Sequence, residues 1–144
     1  MGGLTRSIAG LVAALGLPAI ASAATCHVSP QAVSFGNYDP IAGPSVDGFG
    51  SVNVLCDVPT DFAVALSRGN GTFADRRMVS GAAQLGYNLY TNASRSIVWA
   101  DGIVGSSVSS SGTEAELTIY GRIGAGQNVP AGTYLDAITV VITY

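Results

Sequence analysis

Lysine is absent from this chain, histidine occurs once, and only 10% of the 144 residues are charged. Each of these shortages removes a class of function. Nucleic-acid affinity comes mostly from cations set against phosphates. Six Arg against nine acids leave a net charge of −3, so no nucleic-acid partner is expected. The single His27 stands beside Cys26 and reads as a surface or sheet-edge residue, and no Gly-x-Ser-x-Gly elbow exists for a serine-based triad. Residues 121–127 resemble a phosphate loop only superficially, because the Lys and the Ser or Thr after it are missing. Asp39, Asp47, Asp75 and Asp101 lack the spacing of a calcium loop and read as caps of turn amides. The chain is therefore expected to be no enzyme, with no catalytic residues, no metal site and no cofactor.

Long apolar runs are scarce as well. The run at residues 8–17 follows Arg6 and precedes Pro18 and Ala21-Ser22-Ala23, the pattern of a secretory leader cut after Ala23. It is about half of the ~20 residues that a membrane span requires, and no transmembrane segment is expected in the mature chain. Residues 1–23 are thus a signal peptide and 24–144 the mature domain. That domain carries five Arg against nine acids. Export bears on the two cysteines, Cys26 and Cys56, which in an oxidising compartment are expected to form one disulfide. The competing reading, a thiol activated by His27, needs an unpaired Cys and a third orienting group.

What is present is glycine, 19 residues of it, punctuating short apolar stretches of period two with no sustained helical spacing. Strands are expected over 26–35, 51–56, 61–67, 84–90 and 114–123, with a short one over 97–100. Pro30 confines the first to a sheet edge. Residues 36–50 and 124–132 read as turns, 72–81 as a loop with local charge pairing, and the Ser- and Gly-rich 105–112 as a flexible loop. The final strand, 133–144, alternates Ile138, Val140, Ile142 and Tyr144 on one face up to the last residue. Six main strands suggest an all-β, immunoglobulin-like antiparallel β-sandwich that is incomplete, lacking its last strand. A bare apolar edge is an aggregation hazard unless something covers it, so a second polypeptide is expected to supply the neighbour.

In order along the chain, Phe35-Gly36-Asn37-Tyr38-Asp39-Pro40, Cys56, Arg76-Arg77-Met78, Leu85-Gly86-Tyr87-Asn88-Leu89-Tyr90, Trp99-Ala100-Asp101-Gly102, Tyr120-Gly121-Arg122-Ile123 with Gln127 and Pro130, and Gly132-Thr133-Tyr134-Leu135-Asp136 are together specific. They make the chain similar to the spore coat protein U family, which includes the subunits of archaic chaperone-usher (Csu-type) pili. The resemblance implies donor-strand complementation, a form of β-augmentation. A periplasmic chaperone lends a strand beside the final one, and another pilus or coat subunit replaces it after an outer-membrane usher is reached. It also implies a surface pilus or spore-coat location. Ile138, Val140, Ile142 and Tyr144 would line one wall of the accepting groove, with Val33 and Phe35 opposite. The pattern departs from that of a polymerising subunit in one respect. Only Ala24 and Thr25 precede Cys26 after cleavage, less than about 7 Å of extended chain, so an accepting-only terminal or minor subunit is expected. The alternative is a self-sufficient secreted adhesin or carbohydrate-binding module, with Trp99 as a platform beside Tyr87 and Tyr90, although alternation turns Tyr87 inward. The sequons at Asn70 and Asn92 carry no weight without a glycosylating host.

Overall fold

Period-two alternation, rich in Val, Ile and Tyr, suits a pleated surface with one face covered. A computed structural model, which describes residues 22–144, accordingly contains strands and no helix among the described residues. The strands are β1 (Cys26–Ser34), β2 (Val46–Leu66), β3 (Arg76–Ser80), β4 (Ala83–Tyr90), β5 (Val108–Ile123) and β6 (Val140–Thr143). They form one antiparallel sheet in the order β1-β2-β5-β4-β3, with β6 joined separately to β2. No described helix is long and apolar enough to cross a membrane. The expected leader lies, up to residue 21, outside the described residues.

The sheet is curled by its two long members. β2 and β5 pair from Val46↔Ile123 to Leu55↔Glu114, lose register, and resume from Thr60↔Gly112 to Val64↔Val108. The surplus residues lie on β2, around Asp57-Val58-Pro59, and Gly112 on β5 takes φ 118°, which only glycine adopts without strain. Both arms of β2 feed one core. Val52, Val54 and Cys56 from the first arm and Phe62, Val64 and Leu66 from the second share it with Leu85, Leu89, Ile119, Ile123 and Trp99.

Several expected boundaries move. The strands foreseen at 51–56 and 61–67 are a single bent strand, because a bulge lets the ladder turn a corner without ending. Residues 105–112 are no free loop, since Val108–Gly112 already belong to β5 and pair with β2. Residues 72–81 include β3, whose Arg76 and Met78 point inward, although Arg77 does pair with Asp75 as foreseen. Residues 97–100 make only isolated bridges, Val98 to Tyr90 and Trp99 to Ser106. The final strand is confined to Val140–Thr143, and the chain before it meets the sheet through the bridge of Leu135 to Val79.

Cys26 and Cys56 face each other across β1 and β2 and are joined in a disulfide, with Cα atoms 4.1 Å apart and a sequence separation of 30. Closing a loop of that length stabilises by about 3.5 to 4 kcal/mol in the chain-entropy model. Replacing both residues by Ser is expected to lower the melting temperature by roughly 10 °C or more. An unchanged melting profile would mean that the bridge is dispensable.

Candidate functional site

β6 uses one of its two edges. Val140, Val141, Ile142 and Thr143 pair with Leu66, Ala65, Val64 and Ala63 of β2, and among the described residues no strand pairs with the other edge. Burial records the consequence. Val64 and Leu66 are 0% and 1% exposed, whereas their partners Ile142 and Val140, facing the same way, are only half-buried, and so is Ile138. On the outward face Val141 is 50% exposed.

The chain entering β6 is held by a polar knot. Asp136 accepts bonds from the Tyr87 hydroxyl at 2.7 Å, from the Asn70 N–H at 3.1 Å and from the Ala137 N–H at 2.8 Å. Gly69, at φ 61°, makes room for that carboxylate, since a Cβ there would lie 2.1 Å from an Asp136 oxygen. Burial, with the bond to Asp136 second, holds the Tyr87 phenol far above its ordinary pKa, so it stays a neutral donor. Ser67 donates its N–H to the Thr139 carbonyl at 2.9 Å and accepts the Thr139 N–H on its hydroxyl at 2.9 Å.

Beneath this knot lies Arg76, fully buried. Its guanidinium donates to the Ser67 carbonyl at 2.8 and 3.1 Å, the Trp99 carbonyl at 2.7 Å and Asn88 Oδ1 at 2.7 Å, and it sits 5.5 Å from the centre of the Phe73 ring. Desolvation lowers its pKa, partly offset by Tyr87 and Asp136. A buried cation is tolerable when its donors are satisfied, and here carbonyl and amide oxygens satisfy them. Sequence reasoning missed this residue. The available signal was the two-residue spacing of Arg76 and Met78.

On the other side β1 breaks register between Gln31 and Ser34, which turns Val33 and Phe35 inward. They lie on glycines. A Cβ at Gly48 or Gly121 would meet the Phe35 ring at 2.7 to 2.8 Å, and one at Gly50 would meet Val33 at 2.7 Å. Phe35 also packs edge-on to Tyr87, ring centres 5.8 Å apart. β1 and β6 approach without pairing. Of the six residues foreseen as groove walls, Val33, Phe35, Ile138, Val140 and Ile142 are thus packed partly buried against one core. Tyr144 is not, being 54% exposed beside an open hollow of about 560 Å3 that Asp61 and Ser109–Ser111 also border.

The platform that the alternative reading would build on Trp99 does not form. Trp99 is fully buried and donates its indole N–H to the Val64 carbonyl at 2.9 Å, and Tyr87 is buried too. An indole with its donor satisfied inside a core is a packing residue. His27 is exposed, and no cluster able to hold a metal occurs among the described residues.

An antiparallel all-β domain with an open edge at its last strand is the setting for comparison with known proteins. The Spore Coat Protein U domain model matches residues 12–141, and the chain belongs to that family. Protein U of Myxococcus xanthus is 29% identical over 179 aligned positions that cover the whole of both chains. Among solved structures, the chain resembles part of the CsuC–CsuE chaperone–tip adhesion subunit pre-assembly complex from the archaic chaperone-usher Csu pili of Acinetobacter baumannii. The TM-score is 0.61 at 27% identity, over 85% of this chain and 40% of the matched one, so this chain spans less than half of that relative's length.

The bonds of Arg76 can be tested apart from any partner. Arg76→Met leaves buried carbonyls unpaired and is expected to destabilise by at least about 2 kcal/mol. Arg77→Met, which removes a surface ion pair, is expected to stay within about 0.5 kcal/mol. Equal denaturation midpoints for the two variants would contradict the role given to Arg76.

Proposed function

We propose that the chain is a structural subunit, exported through the periplasm and built into a surface pilus or coat, that is completed by a β-strand from another polypeptide added along the open edge of β6. The observation that carries this reading is the contrast between Val140 and Ile142, half-buried, and Leu66 and Val64, sealed, on opposite sides of the same ladder. Full burial of a large apolar side chain contributes ~1.5 to 3 kcal/mol. Covering what remains exposed of the partly buried Ile138, Val140 and Ile142 is therefore worth roughly 1 to 3 kcal/mol together, a useful fraction of a domain's roughly 5 to 15. A strand suits the site because it satisfies the free backbone groups of β6 while its alternate side chains enter the core.

A periplasmic chaperone is the first donor in this reading, an outer-membrane usher the assembly platform, and a neighbouring subunit the final donor. The likeness to part of a chaperone–tip adhesion subunit pre-assembly complex supports the chaperone as a partner. With cleavage after Ala23, only Ala24 and Thr25 would precede β1, and Thr25 is engaged on both sides. Its N–H donates to Asp57 Oδ1 at 2.9 Å and its carbonyl accepts from the Asp57 N–H at 3.1 Å. A segment so short and so tied supplies no strand to a neighbour, which favours a terminal or minor position.

Val140→Asp and Ile142→Asp put a charge into the face that the incoming strand must cover. Both are expected to abolish co-purification with the chaperone while leaving export and leader removal intact, whereas Val141→Asp, on the solvent side, keeps capture. Undiminished capture of the first two variants would defeat the assignment. So would a soluble, well-folded monomer of residues 24–144 produced in the periplasm with no partner or added strand peptide.

A further inference from the structure

Three Asx-Gly pairs occur in the chain, Asp47-Gly48, Asn70-Gly71 and Asp101-Gly102, and two are chemically quiet. The Asp47 carboxylate is held by Arg122 at 2.6 and 3.0 Å, with Gly48 inside β2. Asp101 accepts the N–H groups of Ile103 and Val104 at 2.9 and 2.8 Å, and those bonds lower its pKa and keep it ionised, a poor electrophile. Asn70 differs. It is exposed in the turn after β2, and its side-chain amide makes no hydrogen bond among the described residues. Asn88 and Asn92, by contrast, have both ends of their amides engaged. No backbone bond engages the N–H of Gly71, and glycine presents no side chain to block its nitrogen.

From this we infer that Asn70 is a site of spontaneous deamidation, and that the reaction loosens the anchorage of β6. The Gly71 nitrogen, losing its proton to water, attacks the Asn70 side-chain carbonyl carbon. The amide nitrogen leaves as ammonia and a five-membered imide forms. Water then opens the ring at either carbonyl, giving aspartate or its backbone-lengthened isomer. No oxidant, enzyme or cofactor is needed.

Position gives the change its effect. The N–H of Asn70 is one of the three donors to Asp136, the carboxylate that pins the chain entering β6. Conversion adds a negative charge to the residue whose N–H binds the Asp136 carboxylate, and the isomer also inserts an extra backbone carbon into a turn closely packed at Gly69 and Gly71. A Cβ at Gly71 would lie 2.2 Å from the Asp75 carbonyl. Like charges and a longer turn both act against the Asn70–Asp136 bond. The outcome is a slow, one-way clock in an exported protein that has no route back to the amide.

The test needs no partner and so stands apart from the strand-acceptor reading. Native protein, protein denatured with its disulfide intact, and the variant Asn70→Ser are held at mildly alkaline pH, then peptide-mapped and examined by amide hydrogen exchange. Asn70 is expected to convert in the native protein before any other asparagine, with loss of exchange protection in residues 137–143. Aged Asn70→Ser keeps that protection, and freshly made Asn70→Asp already lacks part of it. An Asn70 that stays intact in the native protein while it converts in the denatured chain would overturn the inference. Equal loss of protection in aged Asn70→Ser would do the same.

Discussion

A β-strand carries hydrogen-bonding groups along two edges, and β6 fills only one of them among the described residues. The rest of the molecule can be understood from that constraint. Side chains directed inward from a strand are sealed by the strands on either side, so a strand with one neighbour leaves its inner face half-covered however good its sequence. Val140 and Ile142 have the β-branched character of core residues, and lie beside fully buried partners. What they lack is a second flank.

An edge left open in this way would fray unless the chain before it were fixed. Asp136, Tyr87, Ser67 and Arg76 perform that task with bonds to the turn after β2, to β4 and to the segment ending at Trp99. None of these groups needs a partner molecule. That flank of the core is therefore ordered in advance, so for a strand added there, as proposed, the ordering cost would fall on the incoming segment alone, which is how preorganisation raises affinity. Burying Arg76 without a bonded carboxylate is expensive in isolation. Its use here suits a place where several loops must converge in one geometry, because five donors in a fixed fork specify positions that apolar contacts do not.

Much of this was legible in the sequence, and the misreadings have physical causes. The alternation at Ile138, Val140 and Ile142 identified the inward face of β6, because side-chain period reports directly on which face is covered. The pairing of Cys26 with Cys56 followed from compartment chemistry. The Ser-rich start of β5 was misread because ladder bonds are made by the backbone, and small polar side chains at Ser109 to Ser111 neither help nor prevent them when β2 is already in place. Arg76 was missed, and the place of Trp99 left open, for a related reason. A charge in an Arg-Arg pair and an indole beside Asp-Gly look like surface features, and only the converging carbonyls of distant segments turn them into core. The clash of Phe35 with any Cβ at Gly48 and Gly121 was equally hidden, since it joins three separate elements.

The way the other edges are treated gives the open one its meaning. Exposed edges invite pairing with other chains, and proteins blunt them with proline, bulges, charge or a covering segment. The outer edge of β1 has Pro30 and a bulge between Gln31 and Ser34. β3 is covered in part by the bridge of Val79 to Leu135. Where β5 runs on past its pairing with β4, Glu114 and Glu116 point to solvent. β6 has none of these devices, for its residues are Val, Val, Ile and Thr. The edge with the least protection is thus an edge whose inward residues, Val140 and Ile142, are left only half-buried. An apolar edge without charge, proline or a covering segment is one that invites another strand.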